Sequence, residues 1–197
     1  MTAELTAPAL RAVGRTTVDV ETAADAVSDL MRALGMHLTD PSLRRTPERV
    51  ARAYAELLAP REFSLTTFPN DEEYDELVVA RDIPFTSLCE HHLLPFVGTA
   101  SVGYLPGSRI LGLSKLARVV ELFARRPQVQ ERMTKQIATW LDTHLHPRGV
   151  GVVIRAEHTC MTLRGVQARG SSTVTSALLG TLRDDSRSRS EFLSFAG

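Results

Sequence analysis

The sequence predicts an α+β fold with a largely antiparallel sheet. Two observations carry that expectation: helix-period segments come first in the chain, and strand-like runs then occur in pairs on either side of two further helices. A doubly wound parallel sheet would instead alternate strand and helix throughout. At 197 residues the chain has the length of one ordinary domain. Roughly 70% of the unfolded surface can be buried at that length, so folding needs neither disulfide nor metal.

Residues 1–18 are rich in Ala, Thr and Pro, show no sustained period and read as a flexible N-terminal arm. They lack the continuous apolar core of ~7–15 residues that a secretory signal requires, and a transit peptide is the competing reading. From Val20 the pattern becomes helical. Ala24, Val27, Leu30, Met31 and Leu34 share one face, and Gly35 is placed to stop the helix. A second helix is expected from Thr46 as N-cap and Pro47 as first helical residue, with Val50, Tyr54, Leu57 and Leu58 inward. Residues 77–84 and 97–105 read as strands, the second ending in a Pro-Gly turn. Ser114 is expected to cap a helix that buries Leu116, Val119, Val120 and Phe123. Pro127 is expected to start another, with Val129, Met133, Ile137, Trp140 and Leu141 inward. Residues 150–157 form a β-branched strand, and 160–179 read as a hairpin around Gly170. A single domain over 19–197 follows, with N-terminal helices at about 20–58 and a sheet-bearing core at about 76–197.

Lys plus Arg and Asp plus Glu both number 23, so the formal charge is zero. That argues against a general nucleic-acid coat or a polybasic membrane binder, each of which needs a positive excess. No apolar stretch reaches ~20 residues, so no membrane span is expected. Two cysteines do not make a disulfide scaffold, and a reducing cytoplasm is the expected home. The charges are unevenly spread: residues 68–82 hold six acids against one Arg, and 109–135 hold seven Lys/Arg against two Glu.

The densest chemistry is Ser87-Leu88-Cys89-Glu90-His91-His92. Cys-x-x-His is metal-ligand spacing, because a turn or half a helix brings the first and fourth side chains together. Alone it is a weak signal. The second cysteine lies in Glu157-His158-Thr159-Cys160, again beside a histidine. In an extended strand His158 and Cys160 would point to one face. Cys89, His92 and Cys160 would leave a fourth position open on zinc, the arrangement of a catalytic site, and two thiolates with an imidazole suit zinc over magnesium. His91 and His158 would remain free for acid/base work, with Glu90 orienting one of them. A Cys89–Cys160 disulfide is the rival reading.

The basic stretch offers an anion site: Ser114 at a helix start, with Lys115 and Arg118 one turn apart. Arg164 would lie near the metal if the strand through Cys160 continued, and Arg49 and Arg52 sit three apart on the second helix. Several cations near one metal suggest a polyphosphate, although each taken singly reads as a solvated surface charge. Glu131, after Gln130, could accept two N–H groups from a guanine edge, or could simply favour a helix N-terminus. His144 and His146 read as residues of a helix C-terminus.

The segments SLCEHHLLPFVG, ILGLSKLARVVELFARRPQVQERMT and HTCMTLRGV, in that order, resemble the GTP cyclohydrolase I family, over about Leu38 to Phe192. The resemblance implies Cys89, His92 and Cys160 as zinc ligands, and His91 and His158 as acid/base residues. It implies Gln130 and Glu131 as the guanine-binding pair, and Ser114, Lys115, Arg118, Arg164 and Arg49 as triphosphate contacts, with Arg52 less closely matched. The reaction it implies is hydrolytic opening of the imidazole ring of GTP. Formate is released, an Amadori rearrangement of the ribose follows, and ring closure gives 7,8-dihydroneopterin triphosphate, the first step of tetrahydrofolate and pterin biosynthesis. The fold it implies is the tunnelling fold (T-fold), an antiparallel sheet with helices packed on one face, assembled as a homodecamer of two pentamers with sites at subunit boundaries. Three alternatives stand beside it: an enzyme of the same fold acting on a pterin or deazapurine, a non-catalytic GTP-binding module, and a structural zinc protein.

Overall fold

A computed structural model of the protein describes residues 18–197; apart from Val18, the arm expected over 1–18 lies outside the described residues. The chain divides after Ala59 into two compact units.

The N-terminal unit is a pair of helices, α1 (Val20–Ala33) and α2 (Thr46–Leu57). The Asp19 carboxylate caps α1 by accepting from the Thr22 N–H, and Gly35, at φ 79°, turns the chain out of the helix where the sequence places a stop. Of the apolar face expected on α1 only Met31 is buried, while Leu30 and Leu34 are exposed. α2 differs at its start. Thr46 is its first helical residue and Arg45 stands at the N-cap, because Thr46 N–H already bonds the Leu43 carbonyl in a preceding turn.

The second unit, Pro60–Gly197, carries the sheets. In chain order it holds β1 (Thr67–Pro69), β2 (Val78–Cys89), β3 (Pro95–Leu105), β4 (Arg109–Leu111), α3 (Ser114–Ala124), β5 (Pro127–Gln128), α4 (Gln130–Leu145), β6 (Gly149–His158), α5 (Thr159–Thr162), β7 (Thr173–Gly180), α6 (Thr181–Asp184) and α7 (Ser186–Ala196). The main sheet has the order β5-β2-β3-β6-β7 and is antiparallel except for the short β2–β5 pair; β1 and β4 form a separate two-stranded ribbon. The α+β class and the largely antiparallel sheet agree with the sequence-based expectation.

One face of the sheet is covered by α3 and α4. Their apolar stripes, Leu116, Val119, Val120 and Phe123 on α3 and Met133, Ile137 and Leu141 on α4, are buried as their period requires; Trp140 is half-buried. α4 meets the sheet on the side of Thr175 and Ile154, which are register partners. α7 lies on the opposite side, which corrects the expectation of helices on one face only. Its Phe192, fully buried, packs over the paired Gly103 and Gly151. A Cβ on Gly151 would stand 2.6 Å from the Phe192 ring, so the ring occupies the space that the two missing side chains leave.

Further differences bear on the site. β2 is longer than the expected 77–84 and runs through to Cys89. α3 opens with Leu113 at the N-cap rather than Ser114, because Lys115 N–H and Leu116 N–H bond the Gly112 and Leu113 carbonyls and start the turn early. α4 starts at Gln130 rather than Pro127: Pro127 and Gln128 pair with Leu88 and Cys89, which keeps the chain extended through Val129. The β6–β7 pair replaces the hairpin expected within 160–179, and residues 159–162 form a helical turn instead of a strand.

Candidate active site

The site begins where β2 ends. Cys89 N–H donates to the Leu94 carbonyl at 2.8 Å, and Leu93 N–H donates back to the Cys89 carbonyl at 2.8 Å, so residues 89–94 close as a tight link to β3. Leu93 accepts a left-handed φ of 54° in this link, a conformation that costs a non-glycine residue on the order of 1 kcal/mol. The turn brings the Cys89 Sγ and His92 Nδ1 to 3.6 Å. Glu90 N–H donates to the Gln128 carbonyl at 3.0 Å, which ties the turn to the segment leading into α4.

The third donor arrives from β6. This strand pairs with β3 as far as Phe96↔His158, and the chain then enters α5, which carries Cys160. Thr159 Oγ1 donates to the Pro95 carbonyl at 2.6 Å and pins the turn beside the β3 start. The ligand atoms of Cys89, His92 and Cys160 all lie within 4.8 Å of one another. In a tetrahedral zinc site with Zn–S about 2.3 Å and Zn–N about 2.0–2.1 Å, sulfur and nitrogen ligands stand about 3.6 Å apart, the separation found between Cys89 and His92. The three donors therefore fit a zinc ion. Both cysteines are free thiols. Burial pushes the Cys160 thiol pKa up, and the neighbouring Cys89 adds to the rise; a bound cation would reverse that by stabilising the thiolate.

These donors open onto a cavity of about 240 Å³ lined also by His91, Gln130, Glu131, His158, Met161 and Thr173. His158 stacks flat on Phe96, ring centroids 4.5 Å apart and planes 5° from parallel, and its Nε2 lies 2.8 Å from Gln130 Oε1. Burial lowers the His158 pKa, while the Glu131 carboxylate pulls it upward. Gln130 is 1% exposed, whereas Glu131 is exposed to the cavity side of α4. The Glu90 carboxylate pairs with Arg132, whose hydrogen bond holds its pKa low, and His91 lies close enough to add a smaller lowering. Arg132 also donates to Gln128 Oε1 at 3.2 Å.

Of the expected anion-binding residues in this unit, Ser114, Lys115, Arg118 and Arg164, none lines this cavity. Ser114, Lys115 and Arg118 lie at the start of α3, and Arg118 pairs with Glu121 at 3.4 Å. Arg164 is exposed after α5, close enough to Cys160 to lower its pKa slightly. Arg49 and Arg52 belong to the N-terminal unit, where Arg52 bonds Glu48 at 2.9 Å. Sequence reasoning missed Phe96, Gln128, Arg132 and the α4–β7 threonines Thr134 and Thr175. Phe96, Gln128, Arg132 and Thr134 had a signal, their position within the motif segments; Thr175 had none.

Soft donors at the end of a sheet form a group that could bind a metal, and they open onto a pocket that holds a histidine and a carboxylate. The sequence profile described as GTP cyclohydrolase I matches residues 23–197. GTP cyclohydrolase 1 of Synechococcus sp. (strain JA-3-3Ab) is 52% identical over 173 residues, 86% of this chain and 76% of that protein. The Aquifex aeolicus (strain VF5) GTP cyclohydrolase 1 is 49% identical over 176 residues, 89% and 96% of the two chains. That of Thermoanaerobacter pseudethanolicus is 48% identical over 181 residues, 90% and 96%. The chain belongs to the GTP cyclohydrolase I family and is an enzyme of that family.

Proposed function

We propose that the chain hydrolyses GTP in a zinc-dependent reaction that opens the imidazole ring, releases formate and forms 7,8-dihydroneopterin triphosphate, the first step of tetrahydrofolate and pterin biosynthesis. The observation that carries this reading is the convergence of Cys89, His92 and Cys160 with His91, His158 and Glu131 on one cavity. Zinc held by the three donors supplies Lewis-acid chemistry with one coordination position open. Glu131 accepts N–H groups from the guanine edge, with Gln130 beside it. His158 and His91 hold and move protons at the nitrogens of the five-membered ring as its bonds to C8 break. Glu90, bonded to Arg132, steadies the turn that carries His91 and His92.

A cavity of about 240 Å³ is smaller than the ~300–1,000 Å³ of sites that enclose drug-sized ligands, so one chain surrounds only part of a nucleoside triphosphate. We propose that further copies of the chain complete the site, in a T-fold homo-oligomer, a decamer of two pentamers, in which Ser114, Lys115, Arg118, Arg164 and Arg49, with Arg52, meet the triphosphate at subunit boundaries. We place the enzyme in the cytoplasm, acting on GTP without a membrane or nucleic-acid partner; no described helix is long and apolar enough to cross a membrane. GTP labelled at C8 tests the reaction: label recovered as formate supports it, and label retained in a nucleotide or pterin contradicts it.

A further inference from the structure

The side chain of Gln130 has four hydrogen-bond partners, all protein atoms, with its two amide hydrogens shared among three acceptors. Its Nε2 lies 3.2 Å from the Ile154 carbonyl, 3.0 Å from the Thr173 carbonyl and 3.1 Å from Thr175 Oγ1; its Oε1 lies 2.8 Å from His158 Nε2. Two of these neighbours are carbonyl oxygens, which only accept, so the atom facing them is the NH₂ group. The threonines agree independently. Thr134 Oγ1 donates to the Gln130 carbonyl at 2.7 Å, so the hydrogen in its 2.7 Å bond with Thr175 Oγ1 comes from Thr175. Thr175 Oγ1 has then used its one hydrogen and accepts from Gln130. A closed ring results: Gln130 amide to Thr175, Thr175 to Thr134, Thr134 to the Gln130 backbone. It fixes Oε1 toward His158, and an amide oxygen can only accept, so His158 carries a hydrogen on Nε2.

We infer that Gln130 is a positioning residue that holds His158 in its Nε2–H tautomer and leaves Nδ1 as the nitrogen that exchanges a proton with substrate. Phe96 sets the plane of the ring and Gln130 sets its rotation within that plane. This rests on the reading of His158 as an acid/base residue, and it revises the role of Gln130, whose amide is already used by protein, from base recognition to orientation of the histidine. The amide of Gln130 does for this histidine what a hydrogen-bonding partner does for any imidazole whose tautomer matters.

The test uses zinc-loaded, full-length protein. Gln130→Met keeps the side-chain length and removes both hydrogen-bonding groups. Removing a general acid or base costs about 10²–10⁴ in rate, so loss of its orientation is expected to lower kcat by about 10–100-fold. KM for GTP is expected to stay within about threefold, since the side chain adds no binding to the ground state. Thr175→Val opens the ring more gently, with an expected kcat loss of about 2–10-fold at unchanged KM. It serves where Gln130→Met does not fold. ¹⁵N spectra of histidine-labelled protein, with the His158 signals identified by their loss in His158→Ala, are expected to show the neutral ring protonated at Nε2. A wild-type ring protonated at Nδ1 overturns the inference. So does a rise in KM with kcat preserved in Gln130→Met, which would return Gln130 to substrate binding. Normal kcat in Gln130→Met alongside an inactive His158→Ala overturns this inference alone, whereas full turnover in His158→Ala overturns the acid/base reading of His158 and this inference together.

Discussion

Cys89 and Gln128 are register partners in a parallel ladder two residues long, and Glu90, one residue on, donates its amide to the Gln128 carbonyl at 3.0 Å. This pairing fastens the turn bearing the metal-type donors to the residues that open α4. Donor group and cavity wall are therefore one construction rather than two neighbouring ones.

Arg132 reinforces that junction from the outside by bonding both Glu90 and Gln128. The Arg132→Ala variant is expected to lose about 10–100-fold in kcat/KM, the usual scale for residues that orient ligands without touching the metal. Its melting temperature should move little, because exposed ion pairs contribute about 0–1 kcal/mol. Steady-state GTP kinetics beside a thermal melt separates the two effects.

The roles proposed for the histidines differ from those of the metal ligands. His158→Ala, and likewise His91→Ala, is expected to retain zinc while losing about 10²–10⁴ in turnover. His92→Ala removes one of three donors and is expected to lose both. Metal analysis of each purified variant, alongside its rate, distinguishes the groups; a zinc-free His158→Ala would contradict the assignment.

On the far side of the sheet, fully buried Phe192 joins Leu105, Val153, Leu182 and Ala196 in a satellite core. Phe192→Ala is expected to destabilise the fold by about 3–5 kcal/mol. Gly151→Ala, which forces a methyl group to 2.6 Å from the same ring, is expected to cost about 1–3 kcal/mol. Urea titrations followed by far-UV circular dichroism measure both.

Glu121 lies among Arg61 at 2.7 Å, Arg118 at 3.4 Å and Arg125 at 3.4 Å. Burial alone would raise its pKa, but the hydrogen bonds and charge of Arg61 outweigh burial and hold it below the ordinary 4.5. A carboxyl group with a lower pKa in the folded state stabilises the fold above its unfolded value and loses that contribution as pH falls through the folded one. Glu121→Gln is therefore expected to be less stable than the parent at pH 7, with the gap narrowing as pH drops below about 4.5. Paired melts between pH 7 and pH 3 check the trend.

Much of this architecture is legible in the residues. The buried stripes of α3 and α4 follow from helical period, and the grouping of Cys89, His92 and Cys160 follows from two cysteines that each neighbour a histidine. The route to that grouping is less legible. A strand through Cys160 would align it with His158, whereas the chain turns into α5 and delivers the sulfur from a helical turn. β5 is equally hidden, because a two-residue parallel strand is defined by its partner, Leu88–Cys89, and not by its own composition. The ring joining Gln130, Thr134 and Thr175 depends on α4 crossing β7, a tertiary contact with no local signature.

The most direct test of the account is to assay zinc content, formate and the fluorescent pterin formed on oxidation, for the parent protein and Cys160→Ala given GTP. The account predicts about one zinc per chain with formate and pterin in equal amounts from the parent, and none of the three from Cys160→Ala. Parent protein that holds one zinc per chain and binds GTP yet forms neither product would contradict it.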